Sequence, residues 1–531
     1  MRGADSLVQT LAAVGVERIF SLSGNQIMPV YDACIDLGVE IVHVRHEAAA
    51  VFMAEAWAQL TGQVGVALTT AAPGFGNSLG PLYSATKSET PLLLLTGDSP
   101  VSQDGRGAFQ ELDQLAITRP LVKAGFRPTT AAALAEDVAA ALECAASGRP
   151  GPCHIALAFD VLQAECPAAP APFRAVEPKA PGADDVAAAL ARLAAAERPL
   201  IVTGPALNWT RAGALLAALE AHTGAAVLCL ESPRGLKDPS LGDLAGVFKQ
   251  ADLALALGKS IDFTLGFGAA EAFAPGCPWI VVDGDTAAQA QAARNLGDRL
   301  ALAVVADPRP TAEALIAGAP APTPSAQAWR DEVAALTAKR APCPRTKGIS
   351  PLDLTTAIQR QIDRAGETVL VLDGGEIGQW AQAGLKGDAR LINGPGGAIG
   401  GGLCYAVAAA LARPHAQVIA VMGDGTVGFH LAEFETAARS GAAFVAVIGN
   451  DRRWNAEYQI QVRDYGAQRT MGCELSGARY DLAAAGLGCH GEYVTDPADL
   501  DAALARASAS GKPACVNVEI DGLAAPSGAG H

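Results

Sequence analysis

The stretch VIAVMGDG (residues 418–425), followed by FVAVIGND (444–451), decides the fold of this chain. Each is a short apolar run closed by turn residues, the pattern of a strand buried on both faces of a parallel sheet. Residues 427–440 carry apolar side chains at helical spacing, so the unit reads β-loop-α-β. Asp424 and Asp451 then stand at strand C-termini, where open α/β sheets bind ligands. Two carboxylates meeting there suit a hard cation such as Mg²⁺ shared with a phosphorylated ligand, and Gly425 lets backbone N–H groups approach phosphate. Alone, Gly423-Asp424-Gly425 would be an ordinary turn.

Working outward, residues 1–165 alternate helices (7–14, 29–37) with strands (18–22, 40–44, 64–70, 91–96). Residues 183–320 repeat the theme with strands at 199–203, 226–230, 253–257 and 279–282, and residues 345–531 add 368–372, 418–422 and 444–448. This alternation predicts an α/β protein of three successive doubly wound parallel-sheet domains. The Pro/Ala-rich segments 166–182 and 319–325 lack periodicity and read as linkers. In the middle domain Gly204-Pro205-Ala206 and Gly258-Lys259-Ser260 are strand-to-loop turns, but neither gives GxGxxG opening a helix. Asp283-Gly284-Asp285 is placed to touch a ribose.

Length (531 residues), 50% hydrophobic and 18% charged content fit a large globular enzyme. A net charge of −16 argues against nucleic acid or an anionic membrane as partner. The eleven cysteines are scattered without a CxxC pair, which predicts reduced thiols and a cytoplasmic location. Neither an apolar signal segment nor a membrane-spanning run is read in the sequence.

Gly423-Asp424-Gly425 with Asn450-Asp451, 26 residues lying between the aspartates, resembles the motif of thiamine-diphosphate-dependent enzymes, written GDG followed by NN or ND. Arg45-His46-Glu47-Ala48-Ala49-Ala50 is similar to the segment carrying that family's cofactor-activating glutamate. Ala108-Phe109-Gln110-Glu111 and Pro120-Leu121-Val122-Lys123 look like its acetolactate synthase and benzaldehyde lyase branch. The resemblance implies a pyrimidine-binding first domain, a central domain and a diphosphate-binding third domain. It also implies thiamine diphosphate and Mg²⁺ as cofactors, and a homodimer or homotetramer with active sites at subunit interfaces. Acetolactate synthases often keep FAD in the central domain through an Arg-Phe-Asp-Asp type segment; Gly258-Lys259-Ser260-Ile261-Asp262-Phe263 departs from it and argues against FAD. Residues 261–268 also look like the 2-hydroxyacyl-CoA lyase relatives.

Residue by residue, the resemblance assigns Glu47 to the pyrimidine N1′, in an apolar pocket walled by Ala48 to Phe52 that would raise its pKa. Gly397-Ala398-Ile399-Gly400 matches the turn whose bulky residue, here Ile399, bends the cofactor, with the Gly397 carbonyl accepting from the 4′-amino group. Gly375, Glu376 and Ile377 match the diphosphate loop, and Gly425, Thr426 and Asn77 complete the cofactor contacts. The metal falls to Asp424, Asp451 and the Arg453 carbonyl, with Arg452 or Arg453 offsetting the charge of Asp451 or facing solvent. Around the reacting carbon it places Gln110 and Phe109, the loop residues Asn25 and Gln26, and Glu457, read either as a buried proton donor or as an exposed helix carboxylate. Asn25 and Gln26 replace the Pro-Gly-Gly or histidine-bearing versions of that loop, and Pro73-Gly74-Phe75-Gly76-Asn77 stands where pyruvate decarboxylases carry His-His. Ile460 stands where acetohydroxyacid synthases have a Trp. His46 and His430 read as structural. The expected activity is an acetolactate-synthase-like 2-ketoacid decarboxylase/carboligase acting on a small 2-ketoacid, aldehyde or acyloin. A lyase of 2-hydroxy ketones or 2-hydroxyacyl-CoA is the alternative, and a non-catalytic cofactor-binding paralogue the remote one.

Overall fold

The computed structural model describes residues 1–166, 176–319, 324–340 and 342–526, so most of the two Pro/Ala-rich segments lies outside the described residues. Strands β1 (Arg18–Ser21), β2 (Glu40–His43), β3 (Gly65–Thr69), β4 (Leu92–Asp98), β5 (Ala124–Phe126) and β6 (Pro152–Ala158) form a first sheet in the order β2-β1-β3-β4-β6-β5. A second sheet, β11-β10-β9-β7-β8, contains β7 (Pro199–Thr203), β8 (Ala226–Cys229), β9 (Leu253–Leu257), β10 (Trp279–Val282) and β11 (Leu300–Val304). The third, β13-β12-β14-β15-β17-β16, uses β12 (Thr368–Leu372), β13 (Ala389–Ile392), β14 (Gln417–Gly423), β15 (Val445–Asn450), β16 (His490–Val494) and β17 (Ala514–Glu519). The pairings within all three sheets are parallel.

The apolar runs form strands because both their faces are covered. Along β14, Val418, Ala420 and Met422 enter one core while Ile419 and Val421 enter the core on the opposite face. Strand β15 divides the same way, Ala446 and Ile448 against Val445 and Val447. Gly423 pairs with Gly449 across this ladder, so the chain brings Asp424 and Asp451 out at one level. In each sheet the order reverses next to the first strand, between β1 and β3, β7 and β9, and β12 and β14. Those are the crevices where such sheets take ligands.

Two local expectations change. Residues 427–440 are not one helix: a short helix Asp424–Val427 is followed by Glu433–Ser440. The intervening bend is held by the neighbouring turn, where a ring nitrogen of His430 bonds the Gly400 carbonyl at 2.7 Å. The helix Pro324–Thr337, beyond the expected end of the middle domain at 320, packs on the second sheet: Trp329 Nε1 donates to the Pro199 carbonyl at 3.0 Å.

The first and third domains share a core. Helix Glu47–Thr61 is buried along nearly its whole length and lies on the equally buried helix Gly402–Ala412, with Phe52 and Tyr405 edge to face at 5.7 Å. Glu55 on that helix is fully buried, accepts from the Tyr405 hydroxyl at 2.8 Å, and has its pKa pushed up to about 7 by desolvation. Arg211 of the middle domain reaches this junction, donating to Thr90 Oγ1 and the Glu89 carbonyl at 2.6 and 2.8 Å. The crevice between β7 and β9 is filled from the first domain. Glu89, held at φ +50°, accepts from the Ala206 amide at 3.1 Å and from Arg149, which also pairs with Asp283. Lys259, 3% exposed, bonds Asp262 and Thr264 beside them.

Candidate active site

The sequence-derived candidates fall into two groups, one at each outer crevice. In the third domain, Asp373 ends β12 fully enclosed. Its carboxylate accepts from the amides of Gly374 (2.6 Å), Gly400 (3.1 Å) and Gly402 (3.0 Å), tying the turn after β12 to the turn that carries Ile399. A Cβ on Gly374 would stand 2.5 Å from Ile399 Cγ2, so only glycine lets Ile399 seat there. Sequence reading missed Asp373; its signal was an acid at a strand terminus before Gly374-Gly375.

These turns border a cavity of about 300 Å³. Gly375, Glu376, Ile377, Gly397, Ile399, Gly425, Thr426, Asp424, Asp451, Arg453 and Glu457 all line it, and the middle domain adds Ser232, Pro233 and Arg234. The N-terminus of helix Gly375–Gly384 opens onto it, an arrangement suited to phosphate. Asp424 is 2% exposed, yet its Oδ2 has no hydrogen-bond partner among the described residues. Burial raises its pKa to about 6; Asp451 is pushed to about 7 by burial and then by the charge of Asp424. A buried acid pair left short of donors fits a divalent cation, which would remove both penalties. The Arg453 amide donates to Asp451 Oδ1 at 3.2 Å and its guanidinium stacks on Tyr458 at 4.3 Å, whereas Arg452 turns away to Glu519 at 2.8 Å. Thr426 Oγ1 is engaged with Gly423, accepting from its amide and donating to its carbonyl. The C-terminal strap crosses the rim, where the Ala525 amide donates to Glu376 at 2.5 Å and Leu523 accepts from Asn455. Within this chain Glu457 is exposed at the mouth, because helix Asn455–Tyr465 buries only Asn455.

The first-domain group surrounds the β1/β3 crevice. Glu47 opens its helix behind the N-cap His46, whose ring accepts from the Ala48 amide at 3.1 Å. Its Oε2 accepts from Asn77 Nδ2 at 2.9 Å. Here the sequence expectation is corrected. Within a single chain Glu47 is half-buried, because Ala49 to Phe52 turn into the domain core instead of walling the carboxyl. Gln26 is 7% exposed, and Thr70 Oγ1 donates to its Oε1 at 2.9 Å while its Nε2 donates to Gln110 Oε1 at 2.8 Å. Gln110 sits at φ +61° in a loop fastened by Glu111, which accepts from the amides of Gly105, Gly107 and Ala108. Asn25 is exposed, and Phe109 is 76% exposed. None of Glu47, Asn77, Asn25, Gln26, Phe109 or Gln110 lines the third-domain cavity. The two groups of candidates therefore lie at separate places in one chain.

Comparison with known proteins gives matches at both ends of the chain. The profile "Thiamine pyrophosphate enzyme, N-terminal TPP binding domain" matches residues 1–117, and "Thiamine pyrophosphate enzyme, C-terminal TPP binding domain" matches residues 373–518. The chain is 32% identical to the "Probable acetolactate synthase" of Mycobacterium bovis over 98% of its own length and 96% of the relative's. It is 30% identical to "2-hydroxyacyl-CoA lyase 2" of Homo sapiens, covering 92% of this chain and 84% of that one. Identity to the "2-hydroxyacyl-CoA lyase" of Oryza sativa subsp. japonica is also 30%, over 97% and 94%.

Proposed function

Because the chain belongs to the thiamine-pyrophosphate-dependent enzymes, we propose that it is a 2-ketoacid carboligase of the acetolactate-synthase kind, using Mg²⁺ and a site shared between two chains. Thiamine diphosphate, when bound, supplies the nucleophilic carbon that adds to a carbonyl. Asp424, Asp451 and the Arg453 carbonyl would hold the metal, and the turns at Gly375 and Gly425 the diphosphate, as their place around the orphaned Asp424 oxygen supports. Glu47 of a second chain would hold the proton at N1′, and Ile399 would fix the bend of the bound cofactor. Gln110 donates to a substrate carbonyl oxygen.

The observation that carries the ligation reading is the fixed Gln110, whose rigid amide suits the acceptor carbonyl oxygen. With pyruvate as substrate, CO₂, aldehyde and acyloin are measured for wild type, Gln110→Ala and Glu457→Gln. The expected result is acyloin formation lowered about ten- to a hundredfold by Gln110→Ala, with CO₂ release less affected, and little change for Glu457→Gln. A larger fall in aldehyde release by Glu457→Gln would point to a simple decarboxylase. A second reading, a 2-hydroxyacyl-CoA lyase, is supported by the middle domain, where Gly258 to Phe263 departs from the Arg-Phe-Asp-Asp type segment and Arg149 pairs with Glu89 and Asp283. Absence of CO₂ from every 2-ketoacid, with cleavage of a 2-hydroxyacyl thioester, would select it.

The shared site has its own test. Glu47→Gln and Asp424→Ala chains, each nearly inactive, are dissociated and mixed. If Glu47 and Asp424 meet across the interface, hybrid dimers carry one intact site, and activity returns to about a quarter of wild type on random pairing. Purified hybrids without activity would place both residues in one chain's site.

A further inference from the structure

We infer that Gln26 is a positioning residue, which sets the direction of the Gln110 amide so that its N–H₂ group, and not its oxygen, faces the substrate. The inference rests on the role proposed above for Gln110 and adds what makes that role directional. A glutamine amide has a donor end and an acceptor end of nearly equal shape, so packing alone does not choose between them. Here the neighbouring amide of Gln26 makes the choice. The Gln26 amide nitrogen donates to Gln110 Oε1 while the Gln26 oxygen takes the Thr70 hydroxyl. With its oxygen used, Gln110 keeps Nε2 without a partner among the described residues.

The seat of Gln26 is built. The side chain is 7% exposed, and a Cβ on Gly97 would lie 2.7 Å from the Gln26 Cβ, so β4 carries glycine where Gln26 must pass. Gln110 is one of only five non-glycine residues at positive φ among those described, a conformation that persists where surrounding contacts impose it. Those contacts are the Glu111 carboxylate, which fastens the loop by three backbone amides, and Gln26 itself. An amide at position 26 also exchanges no proton, so its contribution is direction without acid–base chemistry.

Gln26→Glu tests the direction. A carboxylate of the same shape still accepts from Thr70 but cannot donate to Gln110, so the Gln110 amide turns its nitrogen inward and presents oxygen to the substrate. Acyloin formation at pH 8 is expected to fall about ten- to a hundredfold. Lowering the pH protonates the introduced carboxyl, whose O–H then donates to Gln110 Oε1, and the ratio of variant to wild-type activity should climb. Loss through misfolding gives no such recovery. In a Gln110→Ala background, Gln26→Glu should add little. Wild-type-like activity of Gln26→Glu, a pH-independent ratio, or full additivity with Gln110→Ala overturns the assignment. If wild-type protein turns over neither 2-ketoacids nor 2-hydroxyacyl thioesters, the proposed function fails separately. A crystal structure of Gln26→Glu at pH 8 then decides the assignment by whether the Gln110 amide has rotated relative to wild type.

Discussion

Glu47→Gln is expected to leave thiamine diphosphate binding largely intact while slowing exchange of the cofactor's C2 proton by about 100- to 10,000-fold, the range for loss of a positioned acid–base group. The amide fills the same space and keeps a contact with Asn77, which now donates to Glu47 Oε2 at 2.9 Å. What it lacks is the proton that a carboxyl shares with N1′. Glu47 Oε1 has no hydrogen-bond partner among the described residues, and its half-buried place at the head of helix Glu47–Thr61 leaves it accessible to a group brought by another domain. Deuterium exchange followed by NMR on the cofactor-loaded protein measures this directly. An unaltered rate would remove Glu47 from that role.

Asp424→Ala is expected to raise the Mg²⁺ needed for half-maximal activity on the order of a hundredfold or more, since a buried charge partner is typically worth about 3–5 kcal/mol. The loss should have a pH signature in the wild type as well. Asp424 and Asp451 titrate at about 6 and 7 in the metal-free fold, both raised by burial, and they must be ionised to hold the cation. Metal affinity therefore reaches its full value only about a pH unit above 7 and declines as pH falls through 7 and 6. The metal-free protein behaves oppositely. An acid whose folded pKa lies above its unfolded value stabilises the fold at low pH and loses that contribution as pH rises through the folded value. Mg²⁺ with the cofactor should thus raise the melting temperature more at pH 8 than at pH 5.5. Equal gains at both values, or full activity after chelation and dialysis, would sink the metal assignment.

How far the residues announce this arrangement depends on how local the signal is. The runs 418–422 and 368–372 were legible because β14 and β12 are buried on both faces and hence apolar throughout. Strands β5, β6, β11, β13, β16 and β17 escaped notice: β5 and β13 are short, β6 contains Pro152 and His154, β11 alternates buried and exposed residues, β16 carries His490 and Glu492 at a sheet edge, and the buried β17 is interrupted by Asn517. Burial of single side chains was less legible still. The apolar neighbours of Glu47 suggested an enclosed carboxyl, but those neighbours point into the core shared with helix Gly402–Ala412.

Three parallel α/β units and a pair of acids at the ends of β14 and β15 were readable from short-range patterns, because strand burial and strand termini are local features. That the cavity around Asp424 and Asp451 excludes every first-domain candidate came from the packing of the domains. The tertiary structure alone joined Thr70, Gln26 and Gln110, and placed Glu89 against the amide of Ala206. The physical reason is the same in each case. A hydrogen bond between residues 84 positions apart depends on which strands lie side by side at a crevice, and that order is fixed by the packing of whole sheets, not by the spacing of residues along the chain.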